Sequence, residues 1–135
     1  MEQPTTQRSL VLILARQFAL KLATPMFVAD AAGNLVFYNE PAAAILGRPY
    51  SEAGEMPAAE WTRLFGIEDL EGRPLSPERM PAGIALFERR PAHGRIRIVG
   101  LDGQRRELAV TAFPLLAREG ELVGMVAVFW EQGEA

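Results

Sequence analysis

The sequence predicts an α+β domain, and three features carry that expectation. The last apolar run, residues 122–130, places Val123, Met125, Ala127 and Phe129 on one face of a strand and Gly124, Val126, Val128 and Trp130 on the other. A strand apolar on both sides must be covered on both, which puts it in the middle of a sheet with helices over one face and a second cover over the other. A run of helical period precedes all the strands, with Val11, Leu14, Phe18 and Leu22 in step and Leu10, Ile13 and Ala15 widening the stripe. Between these two runs lie a pair of strands, a cluster of short helices and a second pair of strands, joined by tight turns.

At 135 residues the chain has the length of one domain able to bury a core without staples. Its 49% hydrophobic and 23% charged residues are those of a folded globular protein. A formal net charge of -3 supplies no general attraction to nucleic acid or to an anionic membrane, so neither is expected as a partner. The lack of Cys removes disulfides, thiolate nucleophiles, Cys-based zinc sites and iron–sulfur clusters, and it is compatible with a cytoplasmic protein. The apolar run 10–15 comes after Arg8, but it is far shorter than the ~20 residues of a spanning helix. Arg16 and Lys21 interrupt the chain just beyond it, so neither a signal peptide nor a membrane span is expected.

The first helix is expected to begin at Pro4-Thr5-Thr6-Gln7 and to end at Thr24-Pro25, because the residue before proline is driven out of the helical region. The chain then divides into a helix over 1–24, a domain over 25–131 and a tail over 132–135. The helix's stripe is broader than one partner surface requires, so the sheet and a second copy of the same helix are expected to share it. Met26 to Asp30 and Leu35 to Asn39 read as a hairpin, with Gly33 and Asn34 at positive φ in its turn. Asn39 then caps a helix of about two turns, with Glu40 and Pro41 in the first turn and Gly47 as the left-handed stop. From Ala58 to Phe65, Trp61, Leu64 and Phe65 share a helical face, while Glu68, Asp69 and Glu71 to Pro74 read as exposed turns. Another helix is expected from Ser76, as its cap, through Pro77, Met80, Ile84 and Phe87 to about Arg90, with Pro81 inside its first turns. The remainder is β. Arg95 to Gly100 alternates, Leu101 to Gln104 turns, and residues 105–115 return with Leu108, Val110 and Ala112 facing away from Ala109, Thr111 and Phe113. Pro114 belongs at a strand end or where no ladder bond is needed.

The Asp30 and Gly33 turn, Asn39 with Ala42, Leu46 and Gly47, the Gly72-Arg73-Pro74-Leu75 stretch, the Asp102-Gly103 turn, Phe113-Pro114-Leu115, and Gly120 with Gly124 together resemble a PAS domain in order and spacing. PAS domains are sensor modules of signal transduction, and the resemblance runs from about Leu22 to Glu131. It implies a five-stranded antiparallel sheet with the last strand central, short helices on one face, and an N-terminal helix on the other face or at a dimer interface. It also implies a signalling output, a kinase or transcription regulator, as attached domain or partner protein. Many members continue through an Asp-Ile-Thr-like linker into an output helix, where this chain has Trp130-Glu131-Gln132-Gly133-Glu134-Ala135. Action in trans, or a sequence that is a piece of something longer, is the expectation. The Cys with which light-sensing flavin members form their photochemical bond is absent, which disfavours a photoactive flavin.

His93 is the only His. Haem-binding members place their His on the long helix, whereas His93 comes after Pro91 and beside Gly94 in an expected surface turn, so haem is disfavoured. Ser9, Ser51 and Ser76 stand in no nucleophile elbow, and there is no Gly-rich phosphate loop. Glu68, Asp69 and Glu71 lack the alternating ligand spacing of a calcium loop. No catalytic residue and no metal site is expected. Arg89, Arg90, Arg95, Arg97, Arg105 and Arg106 concentrate charge around a helix exit and the adjoining hairpin, with Arg95 and Arg97 on one strand face and Arg106 across from them. A solvated edge, kept charged against sheet-to-sheet pairing, is the expected role.

Ile45, Leu46, Trp61, Leu64, Phe65, Met80, Ile84 and Phe87 are expected to face the sheet side bearing Ile96 and Ile98. The resemblance makes that space the ligand pocket, mainly apolar in lining. The sequence leaves open whether it is a cavity or a filled core, and leaves the cofactor unknown. Leu10, Val11, Ile13, Leu14, Phe18 and Leu22 are the dimer-interface candidates. The expectation is thus a non-enzymatic sensor or interaction module, homodimeric through its first helix, with a small apolar molecule as candidate ligand. The alternatives are a purely structural dimerisation domain with a solid core, and a small isomerase-like enzyme. The latter requires a buried carboxylate near Tyr38 or Tyr50, whereas Asp30 and Asp102 read as turn residues.

Overall fold

The computed structural model describes residues 10–132; the expected helix start at Pro4 to Gln7 and residues 133–135 lie outside them. Helix α1 spans Leu10–Leu20. Strands β1 (Met26–Asp30) and β2 (Leu35–Tyr38) form the hairpin. Short helices α2 (Glu40–Leu46), α3 (Tyr50–Ala53), α4 (Ala58–Leu64) and α5 (Pro81–Glu88) come next. Strands β3 (Ala92–Val99), β4 (Arg105–Leu116) and β5 (Leu122–Glu131) complete the fold. The sheet is antiparallel with strand order β2-β1-β5-β4-β3, so the last strand lies between β1 and β4, as its two apolar faces require.

The alternation along β5 separates two cores. Met125, Ala127 and Phe129 join Leu108, Val110, Ile96, Ile98 and the side chains of α2, α4 and α5 on the inner face. Val126 joins Met26, Val28, Val36 and Phe37 on the outer face, beneath Leu12 and Ala19 of α1. Gly124 allows that approach, because a Cβ there would overlap the Ala29 carbonyl of the neighbouring strand and press on Leu12.

Several boundaries differ from the sequence reading, each for a local reason. The first helix stops at Leu20 rather than running to residue 24: Lys21 and Leu22 turn back onto the Phe18 and Ala19 carbonyls. In the hairpin turn only Gly33 takes positive φ, at 89°. Asn34 instead holds Asp30, whose Oδ1 accepts from the Ala32 and Asn34 amides while Oδ2 accepts from Asn34 Nδ2. The single helix expected from Ser76 is two pieces, a 3₁₀ turn Pro77–Arg79 and α5, and Ser76 makes no side-chain cap bond. Pro81 is the cause: it drives Met80 to an extended conformation (φ -95°, ψ 154°), which breaks the helix and makes Met80 the cap of the next. His93 lies within β3 rather than in a surface turn, opposite Thr111, whose Oγ1 is 2.8 Å from His93 Nδ1. Pro114 sits in β4 beyond Ala112, the last residue paired with β3, so its missing donor falls where β4 has a neighbour on one side only.

Both sheet edges are blunted by single bridges. The Leu35 amide of β2 donates to the Met56 carbonyl at 2.8 Å, and Glu68 exchanges both backbone bonds with Arg97 of β3 at 2.8 and 2.9 Å. Glu68 is therefore a half-buried edge cover, not the solvated turn its neighbours suggest, whereas Asp69 does close a turn by accepting from the Glu71 and Arg73 amides.

Candidate functional site

Two apolar spaces lie on opposite faces of β5. The first is a cavity of about 60 Å³ between the sheet and the short helices. Its floor is Phe27, Ile96, Ile98, Leu108, Val110, Ala127 and Phe129, and its roof is Leu46, Trp61, Phe65, Ile67, Met80, Pro81 and Ala82. Trp61 carries the one polar side-chain atom among these residues, and its indole N–H is spent on the Gly33 carbonyl at 2.9 Å. Phe27 anchors the wall by an edge-on contact with Trp61, centroids 4.8 Å apart.

Of the pocket residues expected from sequence, Leu46, Trp61, Phe65, Met80, Ile96 and Ile98 line this cavity, and Ile45, Leu64, Ile84 and Phe87 do not. Phe87 is 62% exposed, because the break at Met80 rotates α5 so that Ala82, Ala85 and Leu86 face inward instead. Ile45 lies half-buried beside Leu46, and its backbone carbonyl accepts from Arg106 Nη1 at 3.0 Å. The alternation of β4 and β5 puts Val110 with Leu108 and Ala127 with Phe129 on common faces, but no local signal says which of them borders a void, nor that Phe27 does.

The second space is a groove of about 370 Å³ between α1 and the outer sheet face. Val11, Leu14, Ala15 and Phe18 form one wall, and Met26, Phe113, Leu115, Val126 and Val128 the other. Leu10, Ile13, Leu14 and Phe18 are exposed, as are Leu20, Phe113 and Trp130, whereas Val11 and Leu22 are half-buried, Leu22 against the outer core.

Asn39, the residue between β2 and α2, is 3% exposed and bonded on both sides of its amide. Its Oδ1 accepts from the Met26 amide at 3.0 Å and the Ala42 amide at 3.1 Å. Its Nδ2 donates to the Ala19 carbonyl at 3.1 Å and the Thr24 carbonyl at 3.0 Å. One side chain thus joins the end of α1, the start of β1 and the start of α2. The sequence shows only the cap.

The arginines do not form a common positive surface. Arg95 pairs with Glu107, Arg90 with Glu88 and Arg105 with Glu68. Arg106 is on the opposite sheet face from Arg95 and Arg97, because the register sets it against Ile98. There it binds Asp102 at 3.1 Å, with Glu131 at 3.8 Å from its Nε. The Arg106 hydrogen bond, and after it the Gln104 amide, holds the Asp102 carboxyl below its ordinary pKa. The pair's contribution to stability is therefore complete above the unfolded value and is lost as pH falls through the lowered one. Arg106→Met is expected to move the Asp102 midpoint upward in a carboxyl NMR titration; an unmoved midpoint would assign the shift to the Gln104 amide alone.

Among the described residues there is no group of His, Cys, Asp or Glu suited to a metal ion and no helix long and apolar enough to cross a membrane. Tyr38 donates its hydroxyl to the Arg48 carbonyl at 2.6 Å, while Asp30 and Asp102 are engaged in their own turns.

An antiparallel sheet with its last strand central, helices over a small apolar cavity and one helix behind defines an α+β domain. The fold is that of PAS domains. It matches the PAS domain of a protein from Colwellia psychrerythraea with a TM-score of 0.65 and 15% identity, over 90% of this chain and 97% of that one. The PAS domain of nitrogen regulation protein NR(II) from Vibrio parahaemolyticus matches with a TM-score of 0.63 and 13% identity, over 88% and 98%. The Rhodobacter sphaeroides LOV protein matches with a TM-score of 0.71 and 14% identity, over 93% and 70%. No protein-family model matches the sequence, and no curated protein does.

Proposed function

We propose that this chain is a cytoplasmic, non-enzymatic sensor module of bacterial signal transduction, homodimeric through α1 and acting on an output domain or partner protein. The observation that carries the reading is the placement of β5. Ala127 and Phe129 border the inner cavity while Val126 and Val128 border the outer groove, so consecutive residues of one strand touch both spaces. A change in cavity occupancy repacks the inner side of that strand and biases the α1 packing on the other, as a population shift between arrangements. The likeness to the PAS domain of a nitrogen regulation protein supports a signalling role. The blunted sheet edges support the outer face, rather than strand addition, as the contact surface.

Phe18 is 59% exposed, so Phe18→Glu leaves the monomer's core intact while placing a charge in the proposed interface. Native mass spectrometry should show a dimer for the parent chain, with dimer dissociation about 100-fold easier in the variant. A monomeric parent, or an unchanged dimer in the variant, would remove α1 as the interface. The purely structural alternative is favoured by one observation, the cavity's small size of about 60 Å³.

A further inference from the structure

We infer that the inner cavity takes a compact, uncharged, hydrocarbon-like molecule, and that haem, flavin and charged metabolites do not enter it. This rests on the sensor reading and names the ligand class of the same site. Ligand pockets for cofactor-sized molecules run from about 300 Å³ upward, whereas this cavity holds about 60 Å³. An engineered apolar cavity of about 150 Å³ stays dry and binds benzene or xenon, so the resting space here suits xenon or a molecule of a few heavy atoms. Chemistry agrees with size. The lone side-chain donor of the wall is already bonded to the Gly33 carbonyl, so an entering carboxylate, phosphate or amide would lose its hydration without replacement.

Native interiors hold few spaces larger than a water molecule, yet α5 and β5 place the small side chains of Ala82 and Ala127 at this one. Ile67 is the half-buried member of the wall, and Met80 stands at the break between the 3₁₀ turn and α5. An unbranched thioether at a backbone break can swing to admit an occupant and then pack on it.

The test is methyl NMR on the whole chain labelled at methionine methyls, with xenon as probe and benzoate as the charged comparison. Xenon should shift the Met80 methyl and benzoate should not. Ala127→Val, which fills the space from the sheet side, should abolish the xenon shift; Ala82→Val fills it from the helix side if the first variant does not fold. Met26 lines the outer groove and reports binding there. A Met80 methyl unmoved by xenon, a shift confined to Met26, or an equal response to benzoate would overturn the assignment. The oligomeric mass of the same samples keeps the two readings apart: a dimer with a silent Met80 removes the ligand and leaves the interaction module, whereas a monomer with a responsive Met80 does the reverse.

Discussion

Asn39→Ala is expected to destabilise the domain by about 4 kcal/mol, far more than the ~1 kcal/mol typical of losing a helix cap. The difference comes from counting the groups left behind. Truncation strands two backbone donors, at Met26 and Ala42, and one acceptor, at Thr24, around a side chain that is 3% exposed, while the Ala19 carbonyl loses one of two donors and keeps the Leu22 amide. Each buried group deprived of its partner costs roughly 1–3 kcal/mol, and partial access of water at the Thr24 side lowers the sum. Conservative replacements separate the two roles. Asn39→Asp and Asn39→Ser preserve a good cap, so a residue acting only as a cap would be rescued by both. If the four bonds act together, neither restores stability: Asp sets its carboxylate against two carbonyls, and Ser is too short to span them. Urea midpoints of the three variants decide this. The Asn39→Ala protein should also dimerise more weakly, since α1 loses its tie to the hairpin.

Gly83→Ala is expected to cost about 3 kcal/mol, against the ordinary sign of that exchange. In an exposed helix interior alanine is favoured over glycine by about 1 kcal/mol. Here a Cβ on α5 would land on the Pro77 carbonyl group, because the 3₁₀ turn crosses the helix at that residue. The overlap is with backbone and no rotamer relieves it, so the turn must lift away and take Met80 and the cavity roof with it. A lower urea midpoint with broadened Met80 methyl signals is the expected result; a stabilised variant would mean that the turn does not rest on α5 in solution.

The parts of the fold legible in the sequence are those in which a residue's neighbours along the chain determine its state. Asn39 and Gly47 bracket α2 as expected, with Gly47 at φ 93°, because capping is settled within four residues. The facing of Leu108, Val110 and Ala112 against Ala109, Thr111 and Phe113 comes from the period of a strand alone. The opposite facings of Arg95 and Arg106 were not legible, since they depend on a register set by pairing across a turn. Phe87 reads as a pocket residue at helical spacing, but one proline restarted the helix and turned it outward. Glu68 reads as a solvated turn residue because its pairing partner, Arg97, lies far along the chain.

By itself, then, the sequence determined the class of the domain, the central position of its last strand, the hairpins, the cap and stop of α2, and an N-terminal helix too apolar for one partner surface. Those properties rest on periodicity and on local backbone chemistry. Only the tertiary structure decided that a space of about 60 Å³ remains between helices and sheet, which four of the expected lining residues stand outside it, and that Asn39 joins three elements at once. A void is what the volumes of side chains from many elements fail to fill together, and a buried amide's partners are whichever backbone groups the fold brings to it; neither is a property of any one stretch of chain.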